Sequence, residues 1–249
     1  MIARTCFCTS VLLSLLAAGT PLGAQEAPVV YASYYTCGPT GQRLNAVIRD
    51  GFAPALDRAV ADGTFSAWGW LTHHTGGTWD RAGYVVAPNV NAVLTGIEGL
   101  VAGLGSALQD LDAICPEHED YIWERVAGSQ SPGEVARDRP SAAISTYWVC
   151  DIAREGRADT LVTQVVGPIL NEQVSDGDIA SWTWFAHVVG GKYRRLAVTD
   201  GADAQGLLTA QAALVEQLEG SQRDAFREFG EICTSHQDYV WTVGVPAAQ

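Results

Sequence analysis

The chain contains the same sequence twice. Ser33-Tyr34-Tyr35-Thr36-Cys37 returns 113 residues later as Thr146-Tyr147-Trp148-Val149-Cys150. Pro54, Asp62-Gly63, Trp68, Trp70, His73, Gly76-Gly77 and Arg81 return at an offset of 114 as Pro168, Asp176-Gly177, Trp182, Trp184, His187, Gly190-Gly191 and Arg195. Cys115-Pro116-Glu117-His118-Glu119-Asp120-Tyr121-Ile122-Trp123 returns at an offset of 118 as Cys233-Thr234-Ser235-His236-Gln237-Asp238-Tyr239-Val240-Trp241. Matches kept in order at a nearly constant offset mark a tandem duplication. The four residues gained before the last motif amount to about one helical turn. Whatever this chain folds into must be built from two like halves of ordinary domain size. We place repeat one at residues 29–126 and repeat two at 143–245. The linker, 127–142, holds Gly128-Ser129-Gln130-Ser131-Pro132-Gly133 and has the composition of a loop.

The 249 residues are 47% hydrophobic and 17% charged, a globular composition. Acidic residues outnumber basic ones 28 to 15, for a formal charge of -13, which argues against a sequence-independent grip on nucleic acid or anionic lipid. Residues 1–24 read as a secretory leader: Arg4, an apolar run from Val11 to Ala18, then Pro21-Leu22-Gly23-Ala24. The expected location is therefore a periplasm or the cell exterior, and no other segment is suited to span a membrane. Four cysteines follow the leader, Cys37, Cys115, Cys150 and Cys233. In an oxidising compartment disulfides are the default, and four cysteines allow three pairings.

Both copies show one order of elements. Tyr31–Cys37 reads as a strand. Leu44, Val47, Ile48, Ala55, Leu56 and Ala59 follow helical spacing, as do Leu161, Val165, Ile169 and Leu170, and each run ends at Asp-Gly. Pro54 and Pro168 should kink or split that helix. Phe65–Thr72 and Trp79–Val86 read as a hairpin turning at Gly76-Gly77. A second helix follows, capped by Asn89 or Asp203, with Val93, Ile97, Leu100, Leu104, Leu108 and Leu111 as its buried stripe in copy one. Asp120–Trp123 begins the last strand.

Strand, helix, strand, strand, helix, strand, twice over, is the ferredoxin-like split βαβ order, an α+β class. The tandem resembles the dimeric α+β barrel superfamily, which includes antibiotic-biosynthesis-type cofactor-independent monooxygenases, muconolactone isomerases and chlorite dismutase-like haem proteins. The resemblance spans residues 31–245 at the level of element order. It implies that the two antiparallel sheets pair as a barrel within one chain, a monomer that is an internal pseudo-dimer. No catalytic motif of the superfamily maps onto these residues, so no activity carries over.

In that topology the end of the first strand, the end of the second helix and the turn into the last strand lie together. This pairs Cys37 with Cys115 and Cys150 with Cys233. The same neighbourhood offers an alternative, a zinc set of Cys37, Cys115, His73 and His118, with Cys150, Cys233, His187 and His236 as its repeat. An exported chain favours the disulfides, and no metal or other cofactor is expected.

A two-residue turn at Gly76-Gly77 sets Thr72 opposite Arg81, Trp70 opposite Gly83 and Trp68 opposite Val85. One hairpin face then carries Trp68, Trp70, Trp79 and Arg81, and in copy two Trp182, Trp184, Tyr193 and Arg195. We expect that face to point into the inter-domain space, with Phe65, Ala67, Leu71, Ala82, Tyr84 and Val86 under the helices. It suits either a pocket for a small aromatic or apolar ligand with a negative group, or a filled core in which Asp120 and Asp238 satisfy the arginines. Gly69 and Gly83 suggest space in the first copy. The same register brings His73 opposite Asp80, an acid–base pair whose repeat is His187 with Arg194. No phosphate loop, serine elbow, HExxH or CxxCH is present. The expectation is an exported protein that binds a small apolar or aromatic ligand between its two domains. Its alternatives are a cofactor-independent oxygenase or isomerase with His73 or His187 as base, and a non-catalytic scaffold.

Overall fold

The computed structural model describes residues 27–38, 41–129 and 142–245. The leader, 1–24, and residues 130–141 of the linker lie outside the described residues. The first copy runs β1 (Val29–Thr36), α1 (Gly41–Val47), a π-helical turn (Ile48–Phe52), α2 (Ala53–Ala61), β2 (Ala67–Gly76), β3 (Arg81–Ala87), α3 (Val90–Leu104), α4 (Ser106–Ile114) and β4 (Glu117–Gly128). The second repeats it: β5 (Ala142–Cys150), a 3₁₀ turn (Ile152–Arg154), α5 (Glu155–Leu161), a π-helical turn (Val162–Val166), α6 (Gly167–Asp176), β6 (Ser181–Val189), β7 (Arg195–Gly201), α7 (Ala204–Ser221), α8 (Arg223–Ile232) and β8 (Cys233–Val243).

Local chemistry explains these elements. Pro54 and Pro168 sit in the first turn of α2 and α6, where a missing N–H costs least, and the helix reaches each through a π-helical turn. Asn89 accepts from Ala92 N at 2.9 Å and Asp203 from Gly206 N at 2.8 Å, capping α3 and α7 as expected. The single second helix expected in copy one is instead two. It breaks at Gly105, φ +53°, and turns through 97°. The four extra residues of copy two lengthen these helices: α7 has 18 residues to 15 in α3, and α8 has 10 to 9 in α4. No single helix among the described residues is long and apolar enough to cross a membrane.

The eight strands close into an antiparallel barrel in the order β1-β3-β2-β8-β5-β7-β6-β4. Each copy supplies a four-stranded sheet, and β2·β8 and β4·β6 sew the two together, so no sheet edge is left open. Bulges mark both seams. The β2·β8 register shifts between His73 and Thr75, and the β4·β6 register between Ile122 and Trp123. Cys37 is joined to Cys115 and Cys150 to Cys233, one bridge within each copy.

The hairpin register is the expected one, Trp68 opposite Val85, Trp70 opposite Gly83 and Thr72 opposite Arg81. The turn is not. Beyond Thr72, β2 leaves β3 and follows β8, with Gly76 paired to Tyr239 and Gly77 N donating to Asp238 O at 3.0 Å. A side chain at Gly77 would collide with the Tyr239 ring, and one at Gly191 with Tyr121. Each Gly-Gly thus receives a tyrosine from the other copy.

Along the paired strands the faces are reversed, although Phe65 lies under the helices and Trp79 and Tyr193 inside the barrel as expected. Ala67, Leu71, Ala82, Tyr84 and Val86 point into the barrel, whereas Trp68, Trp70, Trp182 and Trp184 lie on its outer surface beneath the helices. Helix residues bond three of those indoles, Trp68 to Asp57, Trp182 to Asn171 and Trp184 to Asp159, each at 2.8 Å. Period-two alternation cannot decide this, because both faces of each sheet are buried. The inter-domain space expected to hold a ligand is packed by Tyr34, Trp79, Tyr121, Trp123, Tyr147, Tyr193, Tyr239 and Trp241. Trp79 stacks between Tyr34 at 4.2 Å and Tyr239 at 5.0 Å. The room expected at Gly69 and Gly83 is taken by the rings of Tyr84 and Trp70.

Candidate functional site

Space for a ligand lies outside the barrel, between each sheet and its helices. In copy two the outer faces of β5, β6 and β7, with the start of β8, meet α5–α8 around a cavity of about 270 Å³. Its wall is mainly apolar, including Leu161, Trp182, Trp184, Leu207 and Phe229, and its titratable members, His236 and Asp238, both lie on β8. The equivalent space in copy one is about 80 Å³.

Strand pairing positions the polar group. Thr146 faces Asp238, and Trp148 faces His236, across β5 and β8. Asp238 directs Oδ2 to His236 Nε2 at 3.3 Å, and the imidazole lies over the Trp148 ring at 4.4 Å. The other carboxylate oxygen, Oδ1, is buried and has no hydrogen-bond partner. A buried acceptor without a donor is costly.

Copy one shows how such a group is ordinarily satisfied. His118 Nε2 stands 3.3 Å from Asp120 Oδ2, the same pair, but Ser33 Oγ donates to Asp120 Oδ1 at 2.6 Å. Tyr31 also hydrogen-bonds Asp120, and burial together with that carboxylate pushes the phenol up to about 12. In copy two Tyr31 is replaced by Ile144 and Ser33 by Thr146. Ile144 removes one donor, the Thr146 hydroxyl is kept but does not bond Oδ1, and the cavity in this copy is the larger.

Chemically, the arrangement is an unpartnered acceptor oxygen on a residue of the cavity wall, backed by an imidazole that is half exposed (46%). A ligand hydroxyl would satisfy Oδ1, and His236 connects the carboxylate to solvent.

The sequence-predicted residues are distributed differently. Trp182 and Trp184 line the large cavity, Trp68 and Trp70 the small one, and Trp79 and Tyr193 sit inside the barrel. Tyr193 donates to Gln237 there. Arg195 is buried on the outer face, held by Asp159 Oδ1 at 2.7 Å and Glu155 Oε2 at 3.1 Å rather than by Asp238. Arg81 lies at the matching place in copy one.

His73 and Asp80 meet through their backbones only, His73 N donating to Asp80 O at 3.0 Å. The Asp80 carboxylate accepts from Cys37 N at 2.7 Å, and His73 Nε2 is buried without a partner near Trp241. His187 Nδ1 bonds Arg194 at 2.8 Å, and burial with that cation lowers its pKa. Neither histidine lines the cavity. Because the cysteine sulfurs are bridged, the zinc sets lack their thiolates. Among the described residues no three His, Cys, Asp or Glu side chains gather as metal ligands.

Asp238 and His236 carry a signal that sequence reasoning passed over. His-x-Asp stands in both copies, at His118–Asp120 and His236–Asp238, and alternate residues of a strand share a face.

No protein-family profile and no curated protein sequence matches the chain. Solved structures do match it in fold. A protein described as a putative monooxygenase from Lactobacillus acidophilus NCFM superposes with a TM-score of 0.57 at 8% identity, covering 90% of this chain and 99% of its own. One described as anthrone oxidase-like gives 0.58 at 11% identity, covering 88% and 92%. A mutant chlorite dismutase from Candidatus Nitrospira defluvii gives 0.54 at 11% identity, covering 88% and 92%. The chain therefore has the dimeric α+β barrel fold, with both halves in one polypeptide.

Proposed function

We propose that this protein takes a flat, mainly apolar molecule bearing a hydroxyl into the second copy's cavity and removes its proton with Asp238. The observation that carries this reading is the bare Oδ1 of Asp238 beside about 270 Å³ of apolar space, where the equivalent Asp120 is satisfied by Ser33. That volume suits about two or three fused rings. The proton passes from the bound hydroxyl to Asp238 and on through His236 to solvent, while Trp182 and Trp184 hold the ring system. The resulting oxyanion is the species a cofactor-independent oxygenase offers to dioxygen and an isomerase reprotonates elsewhere. Structures described as monooxygenase and oxidase-like share the fold, which favours the oxygenase branch.

The test is oxygen uptake with a panel of hydroxynaphthalenes and anthrones, products read by mass spectrometry. Wild-type protein is expected to consume oxygen with at least one of them, and Asp238→Asn to lose about a hundredfold or more of the rate. Equal rates in Asp238→Asn and wild type would remove Asp238 from the chemistry. A carrier without turnover would bind the same molecules and release them unchanged.

A further inference from the structure

Copy two carries polar side chains at three places where copy one has apolar ones. At the offset of 114, Ala59 becomes Gln173, Val85 becomes Thr199 and Ile97 becomes Gln211. In copy one all three belong to the apolar core under the helices. In copy two all three line the large cavity. Exchanging hydrocarbon for amide and hydroxyl costs stability unless the new groups find hydrogen-bond partners.

The protein supplies few of them. Gln173 Nε2 donates to Ala210 O at 2.8 Å, which ties α6 to α7. The Thr199 hydroxyl and the Gln211 amide hydrogen-bond no other side chain or backbone group among the described residues. These groups stand near one another. Gln211 follows Ala210, the residue that Gln173 holds. Leu207 on α7 lies against Gly201, the last residue of β7, so Gln211, one turn further along the helix, is carried back toward Thr199, two residues back along the strand.

They form a pole opposite Asp238. Asp238 pairs with Thr146 and Thr146 with Ala197, so Thr199 is two strands across and two residues further along, a separation of about 12 Å by strand spacing. No lysine or arginine lines the cavity among the described residues, and Arg195 is turned to Asp159 and Glu155. The far pole therefore offers donors and acceptors without a counter-charge.

We infer that the cavity's ligand carries a second polar group, neutral and able to hydrogen-bond, at the end opposite its first hydroxyl, and that Thr199 and Gln211 bind it. The inference rests on the reading of Asp238 as the seat of the first hydroxyl, and it narrows the substrate class to elongated aromatics that are polar at both ends. Aromatic acids are disfavoured, because a buried carboxylate would find no cation there. Gln173 is a positioning residue, fixing α7 at Ala210.

The experiment is calorimetric titration of the oxidised full chain with 4,4′-dihydroxybiphenyl, 4-hydroxybiphenyl and 4′-hydroxybiphenyl-4-carboxylate. It compares wild type with Thr199→Val, Gln211→Ile and Asp238→Asn, each checked for an unchanged urea midpoint. Wild type is expected to bind the diol about three- to tenfold more tightly than either of the others. Thr199→Val and Gln211→Ile restore the copy-one residues, so each should reduce that preference and leave the affinity for 4-hydroxybiphenyl where it was. Asp238→Asn should weaken both alcohols. Equal affinity for the two alcohols in wild type, a preference undiminished in both restored variants, or the carboxylate binding as tightly as the diol would overturn the inference and leave Asp238 in place. A preference lost in the restored variants, with affinities unmoved by Asp238→Asn, would support the far pole and remove Asp238. Absence of saturable binding by all three compounds would overturn both.

Discussion

Thr146 faces Asp238 across neighbouring strands, yet its hydroxyl leaves Oδ1 of that carboxylate bare; at the matching place in copy one Ser33 donates to Asp120 at 2.6 Å. One duplicated pair has thus become structural in the first copy and available in the second. Stability should record the difference. Asp120→Ala is expected to cost about 1–2 kcal/mol, since a charged hydrogen bond is lost and Ser33 and Tyr31 lose their acceptor. Asp238→Ala should cost nearly nothing. Urea unfolding of the two variants measures the contrast, and equal losses would mean that Asp238 also serves the fold.

Asp200 carries a pH dependence of stability. Burial raises its carboxyl from 3.8 to about 6, with Ser181 Oγ donating to it at 2.8 Å. A raised acid pKa means that the folded state holds its proton longer than the unfolded chain. The contribution of Asp200 to stability is therefore greatest below pH 4, falls between about pH 4 and 6, and stays at the lower level above. The residue is partly accessible by surface area, so we expect the fall to be about 1–2 kcal/mol rather than the full value of the shift. Asp200→Asn should flatten this window and stabilise the protein at pH 7, as thermal unfolding across the range will show.

The Arg195 ion pair is buried, and breaking it leaves an uncompensated charge. Asp159→Asn removes the carboxylate charge and the acceptor for Arg195 Nη2, leaving one amide oxygen for Arg195 Nε and Trp184, while Glu155 remains at 3.1 Å. A loss of about 2–3 kcal/mol is expected. A change under half a kcal/mol would show that water replaces the carboxylate.

Gly77 is where one copy locks into the other. Tyr239 accepts from Thr78 N at 2.9 Å and from Trp79 N at 3.3 Å, and its ring leaves no room for a side chain at Gly77. Gly77→Ala should destabilise by about 1–3 kcal/mol. The cost should shrink in a Tyr239→Leu background, where the obstacle is smaller, and a double-mutant cycle reads that coupling. Independent effects would place the cost in the backbone of the turn.

Much of this architecture is legible in the residues alone. Duplication gives the two halves, Trp68 against Val85 and Thr72 against Arg81 give the hairpin register, and Asn89 and Asp203 announce their helices. What stays hidden depends on distant partners. A strand buried on both sides does not say which face is inside, so Trp68 and Trp70 are misplaced by pattern alone. The Gly76-Gly77 turn looks local, whereas its form is dictated by Tyr239, 160 residues beyond Trp79. Gly105 breaks a helix whose apolar stripe runs on past it. The bare oxygen of Asp238 follows from Ile144 and Thr146 standing where Tyr31 and Ser33 stand, a difference that gains meaning only once β5 lies beside β8.

The central claim is that the second copy's outer cavity receives an apolar hydroxylated ligand on Asp238. Calorimetric titration with 2-naphthol tests it most directly, using wild type, Asp238→Asn and Ala197→Phe, whose new ring projects from the sheet into the cavity. The account predicts one saturable site in wild type, weaker binding in Asp238→Asn, and none in an Ala197→Phe protein that keeps its urea midpoint. Absence of saturable binding in wild type, or unchanged affinity in folded Ala197→Phe, would contradict it.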